Sequence, residues 1–418
     1  MKPHTIAPGI TLRHIETPKF TTRLYTVLIR RQLSRDEVTM NALLPGVLKR
    51  GSAVYPDARS IQHKAETLYG AVIEANVVKK GEEQILQFCL ETMRDVPMRE
   101  AALFLRDVLL RPLIDDGAFR AMHVDAEREA LRQEIRGRQD DKRTYARMRC
   151  LEEMCKNEPF GVYGDGYEED LDGITQKDLL AQYEKVVSQA PVEIIIVGDM
   201  PEDEALLCAA LLDFPRGKVK EIPVAEVSVR AEKPCVAEEP QEVAQGKLCI
   251  GLRADVPPKG AAYYALLVAN AIFGGSADSK LFANVREKAQ ICYYVSSVLY
   301  RFKSILLIES GIAPRDFEKA EKMIAEQLAQ MQEGAFTSND LDKAKKALGK
   351  HLRGLADDPS ALSDFLLSQA VAGDALSLAE AVEQVEAVTL ADCGAAFGGV
   401  WLDTTYRLAP GKGGEADV

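Results

Sequence analysis

The chain repeats itself. Gly117-Ala118-Phe119 precedes Arg136-Gly137, and 217 residues further on Gly334-Ala335-Phe336 precedes Arg353-Gly354, with Ala130-Leu131 matched by Ala347-Leu348 between them. Ile174-Thr175-Gln176-Lys177-Asp178 is echoed 214 residues on by Val388-Thr389-Leu390-Ala391-Asp392. Gly51-Ser52-Ala53 matches Gly275-Ser276-Ala277, and Tyr69 matches Tyr293, both at a shift of 224. Three similar shifts in the same order predict two homologous halves of about 200 residues each. A chain of 418 residues is too long for one ordinary core, which agrees with that division.

Each half reads as strands, a helix, strands, then helices and a last strand. In the first, 11–31 reads as two strands, 40–49 and 61–68 as helices, and 71–78 with 84–92 as a strand pair. Helices follow over 99–109, 115–138, 144–155 and 175–187. The apolar run 192–197, between Pro191 and Gly198, reads as a buried strand. The second half repeats this with a strand at 247–253, a helix at 262–272 and a strand at 304–311. Thr175 and Thr389, each with an Asp three residues later, predict capping boxes. Strands and helices in separate groups predict an α+β fold: two α/β-sandwich halves, each a mainly antiparallel sheet covered by helices. The halves are placed at 1–215 and 242–410, joined by a polar, proline-bearing linker at 216–241, with a flexible tail at 411–418.

A formal net charge of −12, with no compact basic patch, argues against nucleic acid as a partner. The most apolar run, Ala261 to Phe273, is too short to span a membrane, and Met1-Lys2-Pro3-His4 leads into no apolar leader segment. The eight cysteines are scattered among apolar segments, which predicts reduced core thiols in a cytoplasmic protein. Cys150 and Cys155 have no second pair or nearby histidine, so no metal site is expected there. The loop Pro159 to Gly166 lacks Gly-Lys-Ser/Thr, and no Gly-x-Gly-x-x-Gly or Gly-x-Ser-x-Gly motif follows a strand.

The richest stretch runs from Gly274 to Val295. Ser276 or Asp278 is expected to cap a helix that buries Leu281, Phe282, Val285 and Ala289 on one face. From Ile291 the period drops to two, which places Ile291, Tyr293 and Val295 on one side of a strand and Cys292, Tyr294 and Ser296 on the other. A helix feeding a strand brings Arg286 near Tyr293. Guanidinium and phenol together supply donors suited to peptide carbonyl oxygens.

With the repeat and the Gly-Gly…Arg-Glu-Lys…Tyr run in hand, the chain resembles the pitrilysin/insulinase (M16) metallopeptidases, in the short bacterial two-half form related to mitochondrial processing peptidase. The resemblance covers nearly the whole chain and implies a clam-like arrangement of the halves. In that family an Arg and a Tyr seven residues later contact substrate, and Arg286 and Tyr293 match them in type, spacing and flanks. The family's His-x-x-Glu-His, whose histidines bind zinc and whose Glu is the general base, falls here on Ala42, Pro45 and Gly46. Methyl, ring and hydrogen can neither ligate zinc nor move a proton. The family's glutamates survive as Glu127 and Glu134, read as solvated or salt-bridged remnants. None of the five histidines (His4, His14, His63, His123, His351) lies three or four residues from another.

The resemblance therefore implies a non-catalytic subunit that binds an extended peptide and supplies Arg286 and Tyr293 to a zinc-bearing partner with His-x-x-Glu-His. Zinc is expected in that partner and no cofactor in this chain. Arg286 would hold a substrate carbonyl, and Tyr293 would donate to the oxyanion at the scissile carbonyl, a contact worth about 3 kcal/mol. The peptide would add as a strand on a sheet edge. The alternative is a proteolytically inert scaffold, assembly or modification-associated protein of the same fold.

Overall fold

The structure, a computed structural model, describes residues 3–230, 233–243 and 245–410. The first sheet is built from β1 (His4–Ala7), β2 (Ile10–Glu16), β3 (Thr22–Gln32), β4 (Val72–Lys80) and β5 (Glu83–Met93), together with β8 (Val192–Gly198). Between them Ile114–Asp115 (β6) and Ala118–Phe119 (β7) form a small hairpin. The second sheet uses β9 (Cys235–Gln241), β10 (Gly246–Arg253), β11 (Cys292–Tyr300), β12 (Ile305–Ile312) and β13 (Trp401–Pro410). The strand orders are β1-β2-β8-β3-β5-β4 and β11-β12-β10-β13-β9. Apart from β1, the second is the first again: β2-β8-β3-β5-β4 maps onto β9-β13-β10-β12-β11. In each sheet one pair is parallel, β2 with β8 and β13 with β9, and the others are antiparallel.

The chain folds as two compact units, each assembled from separated segments. One holds residues up to 136, 162–224 and 355–375; the other holds 137–161, 225–354 and the chain from 376 on. Within the first unit the helix Pro359–Ala372 packs on β3 and β8. Within the second the helix Lys142–Met154 packs on β10, β12 and β13. These two helices are repeat-mates, starting 217 residues apart, and each lies on the sheet formed mainly by the other half of the sequence.

β8 is buried at all seven residues and β12 at all eight, so each is sandwiched within its own unit. Helix Ala121–Gly137 and its mate Ser338–Gly354 are both 17 residues long. Thr175 with Asp178 and Thr389 with Asp392 do form capping boxes. The linker reading gives way over part of its length: Cys235–Gln241 is a strand whose residues alternate between half-buried and exposed. Pro240 is tolerated there because β9 is an edge. The stretch 115–138 opens with the β6–β7 hairpin and becomes helical only from Ala121. The expected tail at 411–418 lies outside the described residues.

All eight cysteines are free, and burial pushes the thiols of Cys150, Cys155, Cys208 and Cys249 well above their usual range. Among the described residues no helix is long and apolar enough to cross a membrane.

Candidate functional site

β11 is the edge strand of the second sheet. Its register against β12 jumps between Cys292 and Tyr294, so Tyr293 is the extra residue of a bulge. The bulge breaks the expected alternation: Ile291 and Val295 are buried, whereas Tyr293 is 72% exposed. Ahead of it the chain runs through two π-helical turns, Ala271–Gly275 and Phe282–Lys288. The cap of the second turn is neither Ser276 nor Asp278; Ser279 Oγ accepts from the Phe282 amide at 3.4 Å, and Asp278 faces Lys343 at 3.8 Å.

Leu281 and Val285 anchor this segment in the core, while Asn284 donates to Gln327 at 2.6 Å. Arg286 follows in the last turn, exposed, its guanidinium 4.5 Å from the ring centre of Phe282. Gln290, in the left-handed region at φ 54°, turns the helix into the strand. The π-helical turn that carries Arg286 packs against β11, the edge strand that carries Tyr293. Neither side chain has a hydrogen bond or ion pair among the described residues. Their donors face solvent. The Ser297 carbonyl of β11 accepts from Asn270 Nδ2, on the preceding helix, at 3.2 Å.

In the first unit Ala42, Pro45 and Gly46 lie on the helix Val38–Arg50. A Cβ on Gly46 would stand 2.1 Å from Glu127 Oε2, so the Glu127 carboxylate occupies the space of a side chain at that position. Arg50 Nε donates to the other Glu127 oxygen. Glu134 lies two turns further along the same helix, exposed. His123 is buried one turn before Glu127, against Gly51, and burial, then Arg120 and Arg50, lowers its pKa. Among the described residues no group of three or more His, Cys, Asp or Glu side chains is placed to hold a metal ion. The residues that the resemblance would set around zinc do not fit it: Ala42, Pro45 and Gly46 carry no side-chain ligating atom, and the Glu127 carboxylate is matched to the Arg50 guanidinium. The proximity of Gly46 and Glu127 had no sequence signal beyond the glycine itself.

The family model described as "Peptidase M16 inactive domain" matches residues 173–348. The "Probable inactive metalloprotease YmfF" of Bacillus subtilis (strain 168) is 33% identical over 414 residues, covering 97% of this chain and 97% of that protein. From the same organism, the "Uncharacterized zinc protease YmxG" is 28% identical over 153 residues, 36% of this chain and 37% of that one. A crystal structure of a conserved protein from Enterococcus faecalis V583 superposes with a TM-score of 0.90 at 25% identity, over 99% of both chains. Full-length similarity of this kind settles the family: the chain belongs to the M16 peptidases, as an inactive-domain member.

Proposed function

We propose that this chain is a non-catalytic peptide-binding subunit that lends Arg286 and Tyr293 to a zinc-bearing M16 partner chain. The observation that carries this reading is the exposure of Arg286 and Tyr293, without hydrogen bonds or ion pairs among the described residues, on and beside an open, bulged sheet edge, together with Ala42, Pro45 and Gly46 where the family resemblance expects His-x-x-Glu-His. An extended peptide adds to β11 as a further strand, through main-chain hydrogen bonds that make little demand on its sequence. Arg286 donates to a peptide carbonyl beyond the scissile bond. Tyr293 donates its phenolic proton to the oxygen on which charge develops, and the bulge turns its side chain out of the ladder for that purpose. Zinc, carried by the partner, supplies the hydrolytic chemistry.

The test is to purify the chain alone and mixed with a family member bearing His-x-x-Glu-His, and to follow cleavage of a fluorogenic peptide. The isolated chain is expected to be inert and the mixture active. Tyr293→Phe should lower kcat of the pair about 100-fold, the cost of losing one oxyanion donor. A pair that cleaves no faster than the zinc chain alone, or that ignores Tyr293→Phe, would sink the reading and leave the inert scaffold in its place.

A further inference from the structure

We propose that the β11 edge selects an extended peptide bearing an acidic side chain, whose carboxylate is received by Arg143 and Arg147. This rests on the reading above that β11 takes up a peptide, and it adds a substrate class to it. The geometry is built around Tyr294, the neighbour of the bulged Tyr293. A Cβ on Gly311, its cross-strand partner, would lie 2.5 Å from Tyr294 Cε1, so the glycine exists to let the ring lie flat on the sheet. On top of that ring sits the Arg143 guanidinium, 4.4 Å from its centre, with the Lys247 ammonium 5.8 Å away. Arg143 is thus held beside the edge by stacking as well as by charge.

Its Nε donates to Glu309 at 2.8 Å, and its Nη2 approaches Ser296 Oγ at 3.5 Å. Arg147 reaches the other oxygen of Glu309 at 3.5 Å. Glu309 is 1% exposed, so this carboxylate is spent inward, shared between two guanidiniums whose side chains remain 47% and 35% exposed. Asp141, the other acid at this rim among the described residues, already accepts from the amides of Arg143 and Thr144 and from the Thr144 hydroxyl. Three cations therefore meet two committed carboxylates beside an open strand, in a chain whose overall charge is −12.

Side chains of an added strand alternate between faces, and those level with Tyr294 and Ser296 come within about 5 Å of their neighbours across the pair. On that face a carboxylate completes the coordination of Arg143, an amide forgoes the charge, and an ammonium is repelled.

The experiment is fluorescence anisotropy at low salt with three labelled Thr/Val peptides that differ only in carrying Glu, Gln or Lys at alternate positions. The Glu peptide should bind about tenfold tighter than the Gln peptide, and the Lys peptide weakest. Arg143→Gln should erase the difference between Glu and Gln, Arg147→Gln should reduce it, and high salt should compress it. The wild-type ranking stands as evidence even if a variant misfolds. Equal affinity for all three, or a preference for Lys, overturns the acidic preference while leaving β11 as a peptide edge. No binding of any peptide overturns both.

Discussion

The two repeat-related helices, Lys142–Met154 and Pro359–Ala372, lie on sheets of the same strand order and are held by different chemistry. At the end of the first, Arg253 donates to Asp403 at 2.7 Å and to Glu158 at 2.6 Å, and Lys303 pairs with Glu158 at 2.7 Å. Arg253 and Lys303 are essentially without exposed surface, so this is a buried four-charge clasp in which two cations balance two carboxylates. The second helix relies on buried Leu362, Leu366 and Leu367, a Ser363–Thr26 hydroxyl contact at 3.2 Å, and the half-open pair Lys80–Asp364. Duplication has kept the topology and let the fastening diverge. The units differ elsewhere too: one carries an exposed Arg286 and Tyr293 on an open edge, and in the other Glu127, held by Arg50, fills the space beside Gly46.

The sharpest way to break this comparison is to cut one fastening on each side. Lys303→Met leaves Glu158 under-compensated in a dry place and should cost about 3–5 kcal/mol in urea unfolding. Lys80→Met should cost about 1 kcal/mol or less, because Asp364 is largely solvated. Equal losses would mean that the clasp is not what distinguishes the two helices. The clasp has a pH signature as well. Burial alone would raise the Glu158 carboxyl, but hydrogen bonds from Arg253 and Lys303 outweigh it and hold its pKa below the ordinary value. Its contribution is therefore complete above the usual carboxylate range and lost as the pH falls through the lower, folded-state value.

A smaller effect should appear where Glu127 fills the space beside Gly46. Gly46→Ala, with Glu127 present, forces that carboxylate off its perch. In a Glu127→Ala background the same change should stabilise by about 1 kcal/mol, as alanine normally does inside a helix. A double-mutant cycle reads the difference, and additivity would show that the two positions do not compete for space. Smallest of all, Thr175→Ala and Thr389→Ala remove matching caps and should each cost about 1 kcal/mol. Unequal costs would show that the halves differ even in the devices they share.

Much of this was legible in the residues. The repeat, the order of elements and the caps at Thr175 and Thr389 depend on local patterns, and local patterns survive in one dimension. That Ala42, Pro45 and Gly46 offer no side-chain metal ligand was equally plain, since their chemistry does not depend on context. β9 was hidden because Cys235–Gln241 carries Glu238, Glu239 and Pro240, which read as a linker; its neighbour β13 supplies the pairing that makes it a strand. The bulge at Tyr293 and the π-helical turns were hidden for a related reason, since one extra residue in a ladder alters the facing of every side chain beyond it. Nothing in the amphipathic pattern of Lys142–Met154 says which of two similar sheets will receive it. The clasp of Arg253, Asp403, Glu158 and Lys303 carries that information, and its members come from four separate parts of the chain.

The traded helices bear on how the molecule is made. While the chain emerges from the ribosome, the first sheet has all its strands once β8 is out, yet the helix that covers β3 and β8 arrives only with residues 359–372. Until then one apolar face waits uncovered through the synthesis of some 160 further residues, counted from Gly198 to Pro359. A truncation before Pro359 should thus yield a sticky, chaperone-dependent fragment rather than a free-standing half.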